Sequence, residues 1–134
     1  MKVVLALLSG VGLYISLYFS LVYYRVIDAR SVFVPSFCRM ETNSCYLIIH
    51  HHDAKVFGLP NSVLGVVYYL IVLLDVAIES PMVHVFAWLI SCLAVAVGMY
   101  LVYSLYFKVK VACSLCFVCH VINALIATVL TLWW

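Results

Sequence analysis

The stretch MVHVFAWLISCLAVAVGMYLVYSLYF, residues 82–107, contains no Asp, Glu, Lys or Arg. About 20 consecutive apolar residues in a helix cross the roughly 30 Å hydrocarbon core of a bilayer. This stretch is longer than that, and a tilted helix would accommodate its full length. The segment therefore predicts a membrane-spanning helix.

Three further apolar runs surround this one. The chain has 134 residues, of which 69% are hydrophobic and 9% charged, whereas soluble domains carry about 25% charged residues. The first run is too long for the apolar region of a secretory signal peptide and lacks a small-residue cleavage site, so it is expected to remain as a helix. The four predicted helices are residues 3–24, 61–78, 82–107 and 113–134.

Only one of the three connections, residues 25–60, is long enough to fold over the helices. Without repeats, low-complexity tracts or a linker, the sequence predicts one domain, residues 1–134. The expected fold is an all-α four-transmembrane-helix bundle with one long loop between its first two helices. The lipid bilayer is its expected environment, and no nucleic-acid partner is expected.

Five of the six cysteines fall at one face of this predicted bundle, in the long loop and at the start of the fourth helix. The sixth, Cys92, lies in the middle of the third helix and is interpreted as a small buried hydrophobic residue. We call the face with the other five the redox face, and its cysteines are Cys38, Cys45, Cys113, Cys116 and Cys119.

The segment VACSLCFVCHVIN, residues 111–123, contains two overlapping Cys-X-X-Cys motifs, Cys113 with Cys116 and Cys116 with Cys119. A thiol attacks as its thiolate, and a helix N-terminus favours the thiolate because unsatisfied backbone N–H groups favour negative charge. Spacing of three brings the two sulfurs onto one turn, where they can cycle between dithiol and disulfide. Together with Cys38 and Cys45, the motif predicts a relay of two cysteine pairs.

Two other interpretations of the cysteines stay open from the residues alone. The cysteines could be no more than small buried hydrophobic side chains. The alternative of a metal-binding membrane module would use tetrahedral ligands, although three cysteines at successive i+3 positions point along a rotating stripe. Its candidate ligands are Cys113, Cys116, Cys119, His120, His50, His51 and His52.

The orientation in the membrane is also open, because two arguments conflict. Cytoplasmic loops usually hold the excess of Lys and Arg, which favours slightly a cytoplasmic redox face. Disulfides, however, normally persist outside the cytosol. The opposite face holds Lys2, whereas the redox face holds Arg25, Arg30, Arg39, Lys55, Lys108 and Lys110.

The chain resembles the vitamin K epoxide reductase family of four-helix membrane oxidoreductases. The resemblance rests on the loop pair Cys38 and Cys45, on FGLPNSVLGVVYY at residues 57–69, and on CSLCFVCHVIN at residues 113–123. The family carries an asparagine seven residues after the second cysteine of its active pair. Asn123 fits that position only if Cys113 and Cys116 are the active pair.

The resemblance also implies quinone contacts in this sequence. His120 stands where the family usually has a quinone-contacting tyrosine, and an imidazole can likewise donate a hydrogen bond to a quinone oxygen. Asn61, followed by Ser62, matches the asparagine that binds the other side of the quinone, although Asn61 could equally cap its helix. Residues 48–59 are expected to form a short amphipathic lid over the quinone pocket, with Phe57 and Leu59 facing the pocket.

The function implied by the resemblance is a quinone-dependent thiol oxidoreductase. Electrons would pass from a separate thioredoxin-like or DsbA-like protein to Cys38 and Cys45, then to Cys113 and Cys116, and then to a quinone of the menaquinone, ubiquinone or vitamin K type. Cys116 would be the sulfur next to the quinone. The same cysteines could run in the reductive direction, as a quinone epoxide reductase.

Overall fold

The computed structural model describes residues 1–26, 55–56, 58–109 and 114–133. These residues include four helices of membrane-spanning length and composition, which confirms the predicted all-α membrane fold. In chain order the elements are α1 (Lys2–Tyr23), β1 (Lys55–Val56), β2 (Leu59–Pro60), α2 (Asn61–Ile78), α3 (Pro81–Ser104), a π-helical turn (Leu105–Val109) and α4 (Ser114–Leu132).

The short turn between α2 and α3 has clear local causes. Glu79 adopts the left-handed conformation, with φ of 56°, and ends α2. Pro81 is then the first residue of α3, a position where the missing N–H of proline costs nothing and its fixed φ already suits a helix. The two helices therefore form a tight antiparallel hairpin.

The helices α1 and α2 also pack antiparallel, in one register along their length. Lys2 Nζ lies 2.6 Å from Glu79 Oε1 at one end of the pair. Further along, Gly12 faces the ring of Tyr69 and Gly65 faces the hydroxyl of Ser16. Small residues at such points let two helix backbones approach closely, as they do in membrane bundles.

The other neighbouring pairs close the bundle into a ring in which α1 contacts α2 and α4, and α3 contacts α2 and α4. Trp88 donates to Thr131 Oγ1 at 2.9 Å between α3 and α4, and Tyr68 lies 3.1 Å from Ser91 Oγ between α2 and α3. Asp75, only 1% exposed, lies 2.9 Å from His84 Nδ1. Polar side chains in lipid need partners of this kind.

The core runs along the middle of this ring, and its apolar members include Leu5, Tyr69, Val72, Ile126 and Leu130. Many large apolar side chains point outward instead and stay exposed. A soluble protein would have to cover so much apolar surface, whereas a membrane protein presents it to lipid. The chain is a multi-pass membrane protein.

In the long connection, the structure describes a minimal hairpin directly before α2. Lys55 pairs with Pro60 and Val56 with Leu59 in antiparallel register, and Gly58 takes a φ of 79° in the turn. That conformation suits glycine because it has no Cβ. The remainder of the predicted lid, including Phe57, lies outside the described residues.

Candidate active site

Cys116 lies in the first turn of α4, where it is half-buried and packs against the core. Cys119 lies one turn further along the same helix and is also half-buried against the core. The other predicted redox residues, Cys38, Cys45 and Cys113, lie outside the described residues. Of the predicted relay, the structure therefore describes only the sulfur expected to lie next to the quinone.

His120 follows one turn after Cys116 and packs into a notch in α3. A Cβ atom at Gly98 would lie 2.7 Å from His120 Nδ1, so only glycine leaves room for the imidazole here. The Nδ1 atom is buried and has no hydrogen-bond partner among the residues that the structure describes. An unpaired buried polar atom is costly, so Nδ1 is a candidate contact for a ligand.

Ser62 provides a second buried polar atom of this kind, in the first turn of α2. Its Oγ likewise has no partner within the described part of the chain. Asn61 beside it is half-buried and is the first helical residue, while Pro60 holds the N-cap position without a side-chain cap. The capping interpretation of Asn61 is therefore wrong. Leu59, whose orientation toward a pocket stays a prediction, is 45% exposed.

A hydrogen bond between α2 and α4 fixes the relative depth of these groups. The Tyr69 hydroxyl donates to Asn123 Oδ1 at 2.6 Å. Ser62 precedes Tyr69 by seven residues and Cys116 precedes Asn123 by seven residues. Because α2 and α4 run in the same direction, and seven residues make almost two complete turns, Ser62 and Cys116 lie at the same depth on corresponding faces.

Sequence reasoning did not assign a role to Tyr69. The signal was present, because an asparagine in the middle of an apolar membrane helix needs a hydrogen-bond partner. Nothing local names that partner, however, since Tyr69 lies 54 residues away in the chain.

Residues 3–131 match the model of the vitamin K epoxide reductase family. The chain belongs to this family. Membership makes it a membrane thiol oxidoreductase linked to a quinone, and the sequence resemblance is confirmed.

The described residues fit a quinone as the substrate of a vitamin K epoxide reductase family member. A quinone presents carbonyl oxygens, which accept hydrogen bonds, on an apolar ring. His120 Nδ1 and Ser62 Oγ are buried atoms capable of donating such bonds. Cys116 lies one turn from the first of these and level with the second. These two polar groups and the Cys116 sulfur therefore lie at one end of the bundle.

The structure of this family member also bears on two other interpretations of the sequence, the burial of Cys92 and the metal site. Cys92 is exposed on α3, so its interpretation as a buried hydrophobic residue is wrong. Among the described residues, no group of three His, Cys, Asp or Glu side chains is placed to hold a metal ion. Cys113 and the loop histidines at 50–52, which the metal hypothesis also invoked, lie outside that part of the chain.

Proposed function

We propose that this family member oxidises a separate thioredoxin-like or DsbA-like protein and reduces a membrane quinone. The partner's dithiol loses two electrons and two protons and becomes a disulfide, and the quinone gains both and becomes a quinol. The electrons pass through Cys38 and Cys45 and then through Cys113 and Cys116, by exchange of disulfides. These roles rest on the family resemblance.

The observation that best supports the proposal is the pair of unsatisfied polar atoms beside Cys116. His120 Nδ1 and Ser62 Oγ are both buried without a described partner, and both lie within about two turns of the Tyr69–Asn123 bond on the side of Cys116. In a low-dielectric interior, hydrogen bonds to a carbonyl oxygen strengthen as that oxygen gains negative charge. The two groups would therefore orient the quinone and favour electron transfer from Cys116.

His120 gives the first test of this assignment. His120→Phe keeps an aromatic ring against Gly98 but removes the buried N–H donor. We expect the KM for quinone to rise about tenfold, which corresponds to the loss of one buried hydrogen bond. Steady-state quinone reduction by purified protein, followed by absorbance, measures this.

A matched variant separates hydrogen bonding from packing. Asn places an amide N–H at nearly the position of Nδ1, so His120→Asn should recover most of the lost affinity. If His120→Phe has an unchanged KM while remaining folded, His120 does not contact the quinone.

We further propose that the redox face lies on the cytoplasmic side, as the distribution of Lys and Arg favours. A reporter fused after Trp134 should then be active only outside the cell, because α4 starts at the redox face and ends at the opposite one. Activity of the reporter in the cytosol would reverse the orientation without affecting the proposed chemistry.

A further inference from the structure

Tyr69 is among the most tightly held side chains in the described part of the bundle. It is 1% exposed, and its ring fills a notch in α1 so closely that a Cβ atom at Gly12 would overlap it. Its ring also packs against that of Tyr68, with centroids 4.9 Å apart. Tyr69 therefore has little freedom to move while α1 and α2 remain packed.

From this fixed position on α2, the Tyr69 hydroxyl forms a hydrogen bond with α4. It donates to Asn123 Oδ1 at 2.6 Å. The helices α2 and α4 lie on opposite corners of the ring of packed neighbours, so this bond crosses the interior along a diagonal.

The surroundings differ on the two sides of this bond. Toward the redox face lie the unsatisfied atoms Ser62 Oγ and His120 Nδ1. Toward the opposite face lie the fully buried apolar side chains Leu5, Val72, Ile126 and Leu130, together with Ser9 Oγ, which is also buried without a hydrogen-bond partner among the described residues. What distinguishes the redox side of the bond is Cys116, the sulfur proposed to reduce the quinone, which lies there on α4.

We propose that Tyr69, held by Asn123, is a positioning residue that forms the inner floor of the quinone site. This inference rests on the proposed function. Ser62 and Cys116 lie seven residues, or about 10 Å, above the two residues of the floor. The floor limits how far a quinone ring can enter, and so sets which part of the ring meets Cys116 and how long a ring system can be accommodated.

The test compares a one-ring benzoquinone with a two-ring naphthoquinone that carry the same short alkyl tail. Tyr69→Leu shortens the floor and removes its hydroxyl, and the longer ring system gains most from the added depth. We expect the ratio of kcat/KM, naphthoquinone over benzoquinone, to rise about tenfold, a typical effect of reshaping an apolar pocket. Tyr69→Phe, which keeps the ring in the Gly12 notch, should raise this ratio about threefold through loss of the anchoring bond.

A neighbouring tyrosine serves as the matched control. Tyr68→Phe loses one hydrogen bond, to Ser91 between α2 and α3, and lies outside the proposed floor, so it should leave the ratio unchanged. If the Tyr69 variants lose kcat/KM equally on both quinones, or show no change on either, the proposal that Tyr69 forms the floor is overturned. If Tyr69→Leu does not fold, the ratio in Tyr69→Phe decides.

The two proposals fail in different ways. If the unaltered protein reduces neither quinone, the proposed function is wrong. If it reduces both and the Tyr69 variants do not change the ratio, only the floor is wrong.

Discussion

Cys116→Ala is expected to abolish quinone reduction, lowering kcat at least a thousandfold. The change removes the half-buried sulfur that lies level with Ser62 and one turn from His120, and no other group in the proposed relay can deliver electrons at that position. Loss of a covalent nucleophile typically costs several orders of magnitude in rate. Quinone reduction by the purified variant, with a reduced dithiol as donor, measures the effect.

Two further cysteine variants control this experiment. Cys92→Ala alters an exposed thiol and should leave turnover unchanged. Cys119→Ala should retain most of it, because the family register assigns the exchange partner of Cys116 to Cys113. Abolished turnover in Cys119→Ala, with turnover preserved in Cys113→Ala, would instead make Cys116 and Cys119 the active pair.

Gly12→Ala is expected to lower the free energy of unfolding by about 1–3 kcal/mol, the usual cost of overpacking a filled interior. The new methyl group would overlap the ring of Tyr69, which the hydrogen bond to Asn123 holds in place. To relieve the overlap, α1 and α2 must separate or Tyr69 must leave Asn123. Thermal unfolding of the detergent-solubilised protein measures the loss.

Gly10→Ala is the matched control, because nothing lies within 4 Å of a Cβ atom at that position. The two glycines are two residues apart on one helix, so the intrinsic helix preference for alanine over glycine is similar for both. Gly10→Ala should therefore keep or raise the unfolding temperature. Equal unfolding temperatures for the two variants would contradict the close packing of Tyr69 on α1.

Most of the fold could be predicted from the sequence because lipid simplifies the problem. A segment that crosses the bilayer must be long, apolar and hydrogen-bonded within itself, and the run at residues 61–78 predicts α2 to the residue. The α-helical part of α3 ends earlier than expected, at Ser104, before the π-helical turn. The change from α-helical to π-helical hydrogen bonding occurs within an apolar segment, so the composition of the segment does not predict it.

The lipid environment also explains why Cys92 was wrongly expected to be buried. In a soluble helix, apolar side chains mark the buried face, whereas in a membrane helix the lipid-facing side is apolar as well. Composition therefore cannot separate Cys92, which is exposed, from its buried neighbour Ser91. Only the packing of α3 on its neighbours distinguishes the two faces.

The candidate site could be predicted in part, and mainly through the family resemblance. His120 and Ser62 were expected to contact a quinone because of their positions in family motifs, and this stays a prediction. The structure adds that His120 Nδ1 and Ser62 Oγ are buried with no partner among the described residues, a property they share with Ser9 Oγ. Tyr69 was missed because its hydrogen bond joins helices that are distant in sequence. A single sequence gives no information on which polar groups meet across a bundle.

The central claim is that Cys116 and its polar neighbours serve thiol-driven reduction of a quinone. The most direct measurement is the absorbance of a ubiquinone or menaquinone analogue mixed with the purified protein and a reduced dithiol protein. The account predicts catalytic loss of the quinone absorbance, with one disulfide formed in the dithiol protein for each quinone reduced. No quinone turnover, together with stoichiometric bound zinc, would contradict it and favour a metal-binding membrane module.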